Sequence, residues 1–177
     1  MIDKIKYIPD IFRYINTITV IIAAVTAVIL WVRGILPVLL RLGNGLAKGK
    51  IAIFAKGDNL TSLIELLKSS GLFSEKNFIR IIDIGDFPKA KKANLYLIFF
   101  PNWNNMDSIK EIMNHKNNGI PLIVYAPPQN KIIQDQRAIP SDIMAKLNED
   151  GNTIVTNFKG RLLNDIIGSL ITGNYEK

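Results

Sequence analysis

From Tyr14 to Val32 the chain runs nineteen residues without a charge, YINTITVIIAAVTAVILWV, and Arg33 is the first to interrupt it. As a helix rising about 1.5 Å per residue, this run covers roughly 29 Å, close to the hydrocarbon thickness of a bilayer. Apolar positions resume over Ile35–Leu40, where Pro37 predicts a kink or an end. Ile35–Leu46 with Gly43-Asn44-Gly45 then reads as an interfacial segment closing in a glycine-rich hinge. Trp31 stands at the downstream edge, as an interfacial aromatic does. A cleaved signal peptide has a shorter apolar core and a small-residue cleavage site, and a buried core helix seldom runs so long uncharged. The reading is therefore a membrane helix and linker over residues 1–49, followed by a second domain over 50–177.

Beyond Lys50 the pattern changes to short apolar runs alternating with helical spacing. IAIFA (51–55), FIRIIDI (78–84), NLYLIFF (94–100), PLIVYA (121–126) and NTIVTNF (152–158) read as five strands. Between them, Leu60, Leu63, Ile64, Leu66 and Leu67 have helical spacing behind a capping Asn59. Asp107–Asn114 reads as a helix, Ser141 caps DIMAKLNED, and RLLNDIIGSLIT (161–172) closes the chain. Strands apolar on both faces, alternating with amphipathic helices, imply a parallel sheet covered on two sides. The expected fold is α/β, an N-terminal transmembrane helix followed by a doubly wound, flavodoxin/TIR-like domain with strand order 2-1-3-4-5. The second crossover is short: only Gly85–Ala93 separate two strands, leaving one helical turn from about Pro88.

Composition narrows the chemistry. In 177 residues there is no Cys and one His, His115, so disulfides, thiolate chemistry and multi-His metal sites are excluded and no metal or cofactor is expected. His115 reads as structural or solvent-exposed. The net charge is +7, and residues 1–49 hold six cations against two anions. Much of the excess thus lies beside the apolar run, placed for anionic headgroups. Arg33, Arg41, Lys48, Lys50 and Lys56 follow the run and Lys4, Lys6 and Arg13 precede it, a bias that favours a cytoplasmic C-terminal domain.

Within the apolar run Asn16, Thr19, Ala23 and Thr26 share one helical face. Small and hydroxyl residues at that spacing let membrane helices approach closely, so the stripe is read as helix-packing or pore-lining. In the second domain, ligands of a doubly wound sheet bind beyond the C-terminal strand edge. The loops there bring Lys56, Asp58 and Asn59; Asn102 and Trp103; and Asn157, Lys159 and Arg161, with Pro127-Pro128-Gln129-Asn130 nearby. Amides read base edges and an exposed Trp103 would stack a base. Lys159 and Arg161 begin the last helix, where the dipole disfavours cations unless an anion binds between them and the free N–H groups. No Walker A or GxGxxG loop is present. Phe100-Pro101-Asn102 stands where a receiver domain carries its phosphoacceptor Asp, which excludes phosphorelay.

One membrane helix, then KIAIFAKGDN, then NFKGRLLNDI near the end resembles the small transmembrane effectors of the bacterial Hailong anti-phage defence system. That resemblance implies a homo-oligomeric channel, a tetramer being one stoichiometry, in the bacterial inner membrane with its C-terminal domain cytoplasmic. It implies gating by a nucleotide or short single-stranded oligonucleotide made by a partner nucleotidyltransferase, and membrane depolarisation with growth arrest on opening. Two alternatives stand beside it. FFPNWNNMDSIKEIM resembles the stretch after the third strand of TIR domains, which would make Glu111 an NAD-cleaving residue. A non-enzymatic membrane adaptor would instead use the basic Lys89, Lys91 and Lys92 edge.

Overall fold

The computed structural model of the chain describes residues 8–128 and 139–173; Lys4, Lys6, Gln129 and Asn130 lie outside the described residues. Two compact units emerge, Met1–Gly43 and Asn44–Lys177. The division falls within Gly43-Asn44-Gly45, ahead of the expected boundary near residue 49.

Helix α1 runs from Ile8 to Lys48 without a break. The helix therefore does not end at Pro37, and Gly43–Gly45 is helical rather than a loop. Proline removes one amide donor from a ladder of many, and a long apolar helix absorbs that loss. Asn16–Pro37 has a mean hydropathy of 2.3 and none of it is buried. Its 22 residues are long and apolar enough to cross a membrane. From Tyr14 to Leu36 the large apolar side chains among the described residues are 38% to 72% exposed, an arrangement that water alone does not stabilise.

The second unit is the expected α/β layer structure. Strands β1 (Ile51–Phe54), β2 (Phe78–Ile81), β3 (Leu95–Phe99), β4 (Leu122–Tyr125) and β5 (Thr153–Thr156) form one sheet of order β2-β1-β3-β4-β5. Every neighbouring pair is parallel, with Ile51 opposite both Phe78 and Leu95, and Leu122 opposite Tyr96 and Thr153. Alternation sorts the strand side chains between two cores. Ala52, Phe54, Tyr96, Ile98, Leu122 and Val124 face α3 (Phe87–Ala90), α4 (Met106–His115) and α5 (Ser141–Asn148). Ile51, Ile53, Leu95, Leu97, Phe99 and Ile123 face α2 (Gly57–Ser69) and α6 (Lys159–Thr172).

Three local expectations change. β2 ends at Ile81, because an edge strand buries only one flank, and Ile82 and Ile84 are about half exposed, at 47% and 53%. Helix α2 starts at Gly57, ahead of Asn59, so Asn59 lies inside the first turn and does not cap it. Gly57 takes φ 55, a left-handed conformation that suits glycine and turns the chain directly out of β1. Pro140, whose side chain accepts nothing, precedes α5, so Ser141 is its first residue and not its cap. Asn105 does cap α4, its side-chain oxygen accepting the Ser108 N–H at 2.7 Å. The short crossover is as read: a single turn, α3, with Pro88 in its opening position.

Candidate functional site

Strand order reverses between β1 and β3, so the crevice at their C-terminal ends is the switch point of the sheet. Five sequence-derived residues gather there. The Asn102 side-chain oxygen accepts the Lys56 backbone N–H at 2.9 Å and the Asn59 side-chain amide at 3.5 Å. This stitches the loop after β3 to the start of α2. The Lys56 ammonium lies 4.4 Å from the centre of the Trp103 ring, a cation–π contact. Asp58 sits exposed in the first turn of α2, where its charge complements the helix dipole.

Trp103 is not the exposed stacking platform expected from its loop. It is 2% exposed, 5.6 Å from the Phe87 ring and 6.3 Å from Phe54, edge-on to the latter. A large apolar ring beside Phe54, Phe87 and Ile109 gains more from burial than from solvent. Among the described residues its indole N–H has no acceptor. Removing the Asn102 amide with Asn102→Ala is expected to destabilise the unit by about 1–2 kcal/mol, read by urea unfolding, because the Lys56 N–H loses its partner.

The second group lies at the end of β5. Asn157, Lys159 and Arg161 are exposed, and so is Phe158, at 62%. Phe158 precedes α6 and offers no side-chain cap, and the first turn of α6 holds no acidic residue. The Arg161 guanidinium reaches Asp165 one turn on, Nε to Oδ2 at 3.6 Å, beyond hydrogen-bond length. Thr156 is 2% exposed and, among the described residues, its hydroxyl is unpartnered. Ile154 belongs to the core beneath α2 and α6 and Val155 to the other, so alternation turns Thr156 toward the α6 side. The aromatic exposed at this edge is thus Phe158, not Trp103. Sequence did flag its loop, but its position between a strand end and an uncapped helix was the signal that separates it from a core ring.

Lys56 and Lys159 stand at the N-termini of α2 and α6, two helices that cover the same face of the sheet. Their parent strands β1 and β5 are three strand spacings apart, roughly 14 Å. The eight candidate residues therefore form two clusters along one edge rather than one pocket.

Glu111 lies within α4, on the opposite layer. Its backbone carbonyl contacts the His115 ring at 3.0 Å, and no hydrogen bond or ion pair joins its carboxylate to the switch point among the described residues. His115 is half-buried and edge-on to Phe87 at 5.5 Å. Of the three crossover lysines, Lys89 bonds Asp86 at 2.5 Å, which holds the Asp86 carboxyl below its usual range, while Lys91 and Lys92 are exposed. Among the described residues no group of three or more His, Asp and Glu side chains is placed to hold a metal. No protein-family model, curated protein or solved structure matches the chain.

Proposed function

We propose that the protein is a single-span membrane effector of bacterial anti-phage defence. Its α/β unit binds a short anionic oligonucleotide along the C-terminal strand edge, and its membrane helices self-associate into a ligand-gated ion channel. The observation that carries this reading is the unburied apolar helix Asn16–Pro37 joined to a sheet whose C-terminal strand edge bears two cation-flanked helix N-termini. A bilayer accounts for the first feature and an anion for the second. The roughly 14 Å between the clusters favours a ligand of several nucleotides over a mononucleotide. Phe158 supplies the stacking surface, and a buried Thr156 hydroxyl stands behind the α6 terminus.

Asn16, Thr19, Ala23 and Thr26 fall within a narrow arc of α1, which supports close helix approach and a polar pore wall in the assembled form. The cations that follow Val32 support placing the α/β unit in the cytoplasm, where a partner nucleotidyltransferase would make the ligand. Ligand control requires differential affinity for the open and closed assemblies.

Binding of a fluorescent six-nucleotide single-stranded DNA to the detergent-solubilised full chain tests the site. With Lys56, Lys159 and Arg161 as phosphate contacts, log K is expected to fall with log salt at a slope near −2. Lys159→Glu with Arg161→Glu is expected to weaken binding at least 30-fold while the far-ultraviolet circular dichroism stays unchanged. Equal affinity in the variant would remove α6 from the site.

A further inference from the structure

The end of α1 is held by a side chain far along the chain. Asn77 is 2% exposed, and its amide nitrogen donates to the carbonyls of Leu46 at 3.3 Å, Ala47 at 3.1 Å and Gly49 at 2.9 Å. The orientation of this amide is fixed by chemistry. Its oxygen accepts the Ser74 backbone N–H at 2.8 Å, a group that can only donate, and the Ser74 hydroxyl at 2.9 Å. Leu46 and Ala47 carry two of the four carbonyls that a helix ending at Lys48 leaves without intrahelical partners. Asn77 therefore acts as a C-terminal cap on the end of α1 that lies within the second unit.

Everything around this cap is tied down. Gly49 is buried, and Leu46 packs with the core beneath α2 and α6. The Lys50 N–H donates to the Asn94 side chain at 2.9 Å, its carbonyl accepts the Asn94 N–H at 2.7 Å, and its ammonium reaches the Lys76 carbonyl. Asn77 immediately precedes β2, which pairs with β1, the strand that leads to Lys56. The cap thus stands at the start of the strand pair whose far end carries part of the ligand edge.

We propose that Asn77 is the positioning residue that locks the last turn of α1 within the second unit, so that this turn, continuous with the rest of α1, follows the state of the sheet. The locking is independent of any ligand; its use in gating rests on the proposed function above. Asp in place of Asn keeps the shape and replaces the donor by oxygen, facing three carbonyls. Ala merely vacates the position, and is the variant to use should Asn77→Asp not fold.

Hydrogen exchange on the full chain in detergent tests the lock. In Asn77→Asp the amides of Leu46, Ala47 and Lys48 are expected to exchange at least 10-fold faster, while those of β3 and β4 stay within about 2-fold of wild type. Wild-type protection at 46–48, or an equal rise across β3 and β4, overturns the proposal: the first makes Asn77 dispensable, the second makes it a general stability residue. Ion flux from proteoliposomes then tests the coupling. The change in wild-type flux on adding the six-nucleotide DNA is expected to vanish in the variant, with the affinity for that DNA held within 2-fold. A persisting change overturns the coupling role. Wild-type liposomes that never respond overturn the channel reading and, with it, the coupling, while the exchange result still decides the lock.

Discussion

Trp103→Ala is expected to lower the stability of the α/β unit by about 4 kcal/mol, because it opens a cavity beside Phe54 and Phe87 that the surrounding sheet cannot fill. The ring is 2% exposed and its contacts come from β1 and α3 as well as its own loop. The Lys56 ammonium loses its ring at the same time, freeing the start of α2. Trp103→Phe keeps an aromatic in place and discards an indole N–H that lacks an acceptor among the described residues, so its loss is expected to be far smaller. Urea unfolding followed by circular dichroism measures both. A Trp103→Ala protein as stable as wild type but weak in DNA binding would restore the stacking role that burial argues against.

A second large effect is expected at Asp150→Asn, about 2–3 kcal/mol of stability. The Lys116 side chain is 6% exposed and its ammonium lies 2.8 Å from the Asp150 carboxylate. The ammonium also donates to the Ile120 carbonyl at 2.8 Å, an uncharged acceptor, so the neutral amide leaves a buried charge without a counter-ion. Burial alone would raise the Asp150 pKa; the Lys116 hydrogen bond, the Asn152 N–H and the Thr153 hydroxyl outweigh it and hold the carboxyl below its ordinary value. A carboxyl lowered in the folded state contributes its full stability above the unfolded pKa near 3.9 and loses it as pH falls through the folded value. Unfolding free energy is thus expected to drop below about pH 4 in wild type and to be flatter there in Asp150→Asn. Lys116→Met in the Asp150→Asn background removes the stranded charge and is expected to recover most of the loss. No recovery would show that the Asn152 and Thr153 contacts, not the ion pair, set the cost.

The fold was legible because its signals are redundant. Ile51–Phe54, Leu95–Phe99 and Leu122–Tyr125 are apolar on both faces and buried throughout, the pattern that only a doubly covered parallel sheet explains. The strand order followed from right-handed crossovers and the count of five strands. Ends were less legible. Asn59 looked like a cap because it precedes the helical spacing, but glycine at position 57 starts the helix earlier and leaves Asn59 to meet Asn102. Pro37 looked like a stop because sequence weighs one lost hydrogen bond without the many that flank it.

The candidate ligand edge was legible as a set of loops and not as exposures. Trp103 and Phe158 both follow strands in polar surroundings; one turns into the core beside Phe87 and the other stays in solvent. That difference is set by partners distant in sequence. Asn77 gave no signal at all, since its worth lies in three carbonyls 28 to 31 residues away.

Ion flux from liposomes carrying the purified chain decides whether α1 forms the proposed pore under the control of the α/β unit. With insertion verified, a potassium leak is expected that changes at least 10-fold on adding the six-nucleotide single-stranded DNA. Thr19→Leu with Thr26→Leu, which makes the polar face of α1 greasy, is further expected to abolish the leak without removing the protein from the membrane. Sealed liposomes before and after nuclease treatment and DNA addition, with the protein inserted, would contradict the account and leave α1 as an anchor.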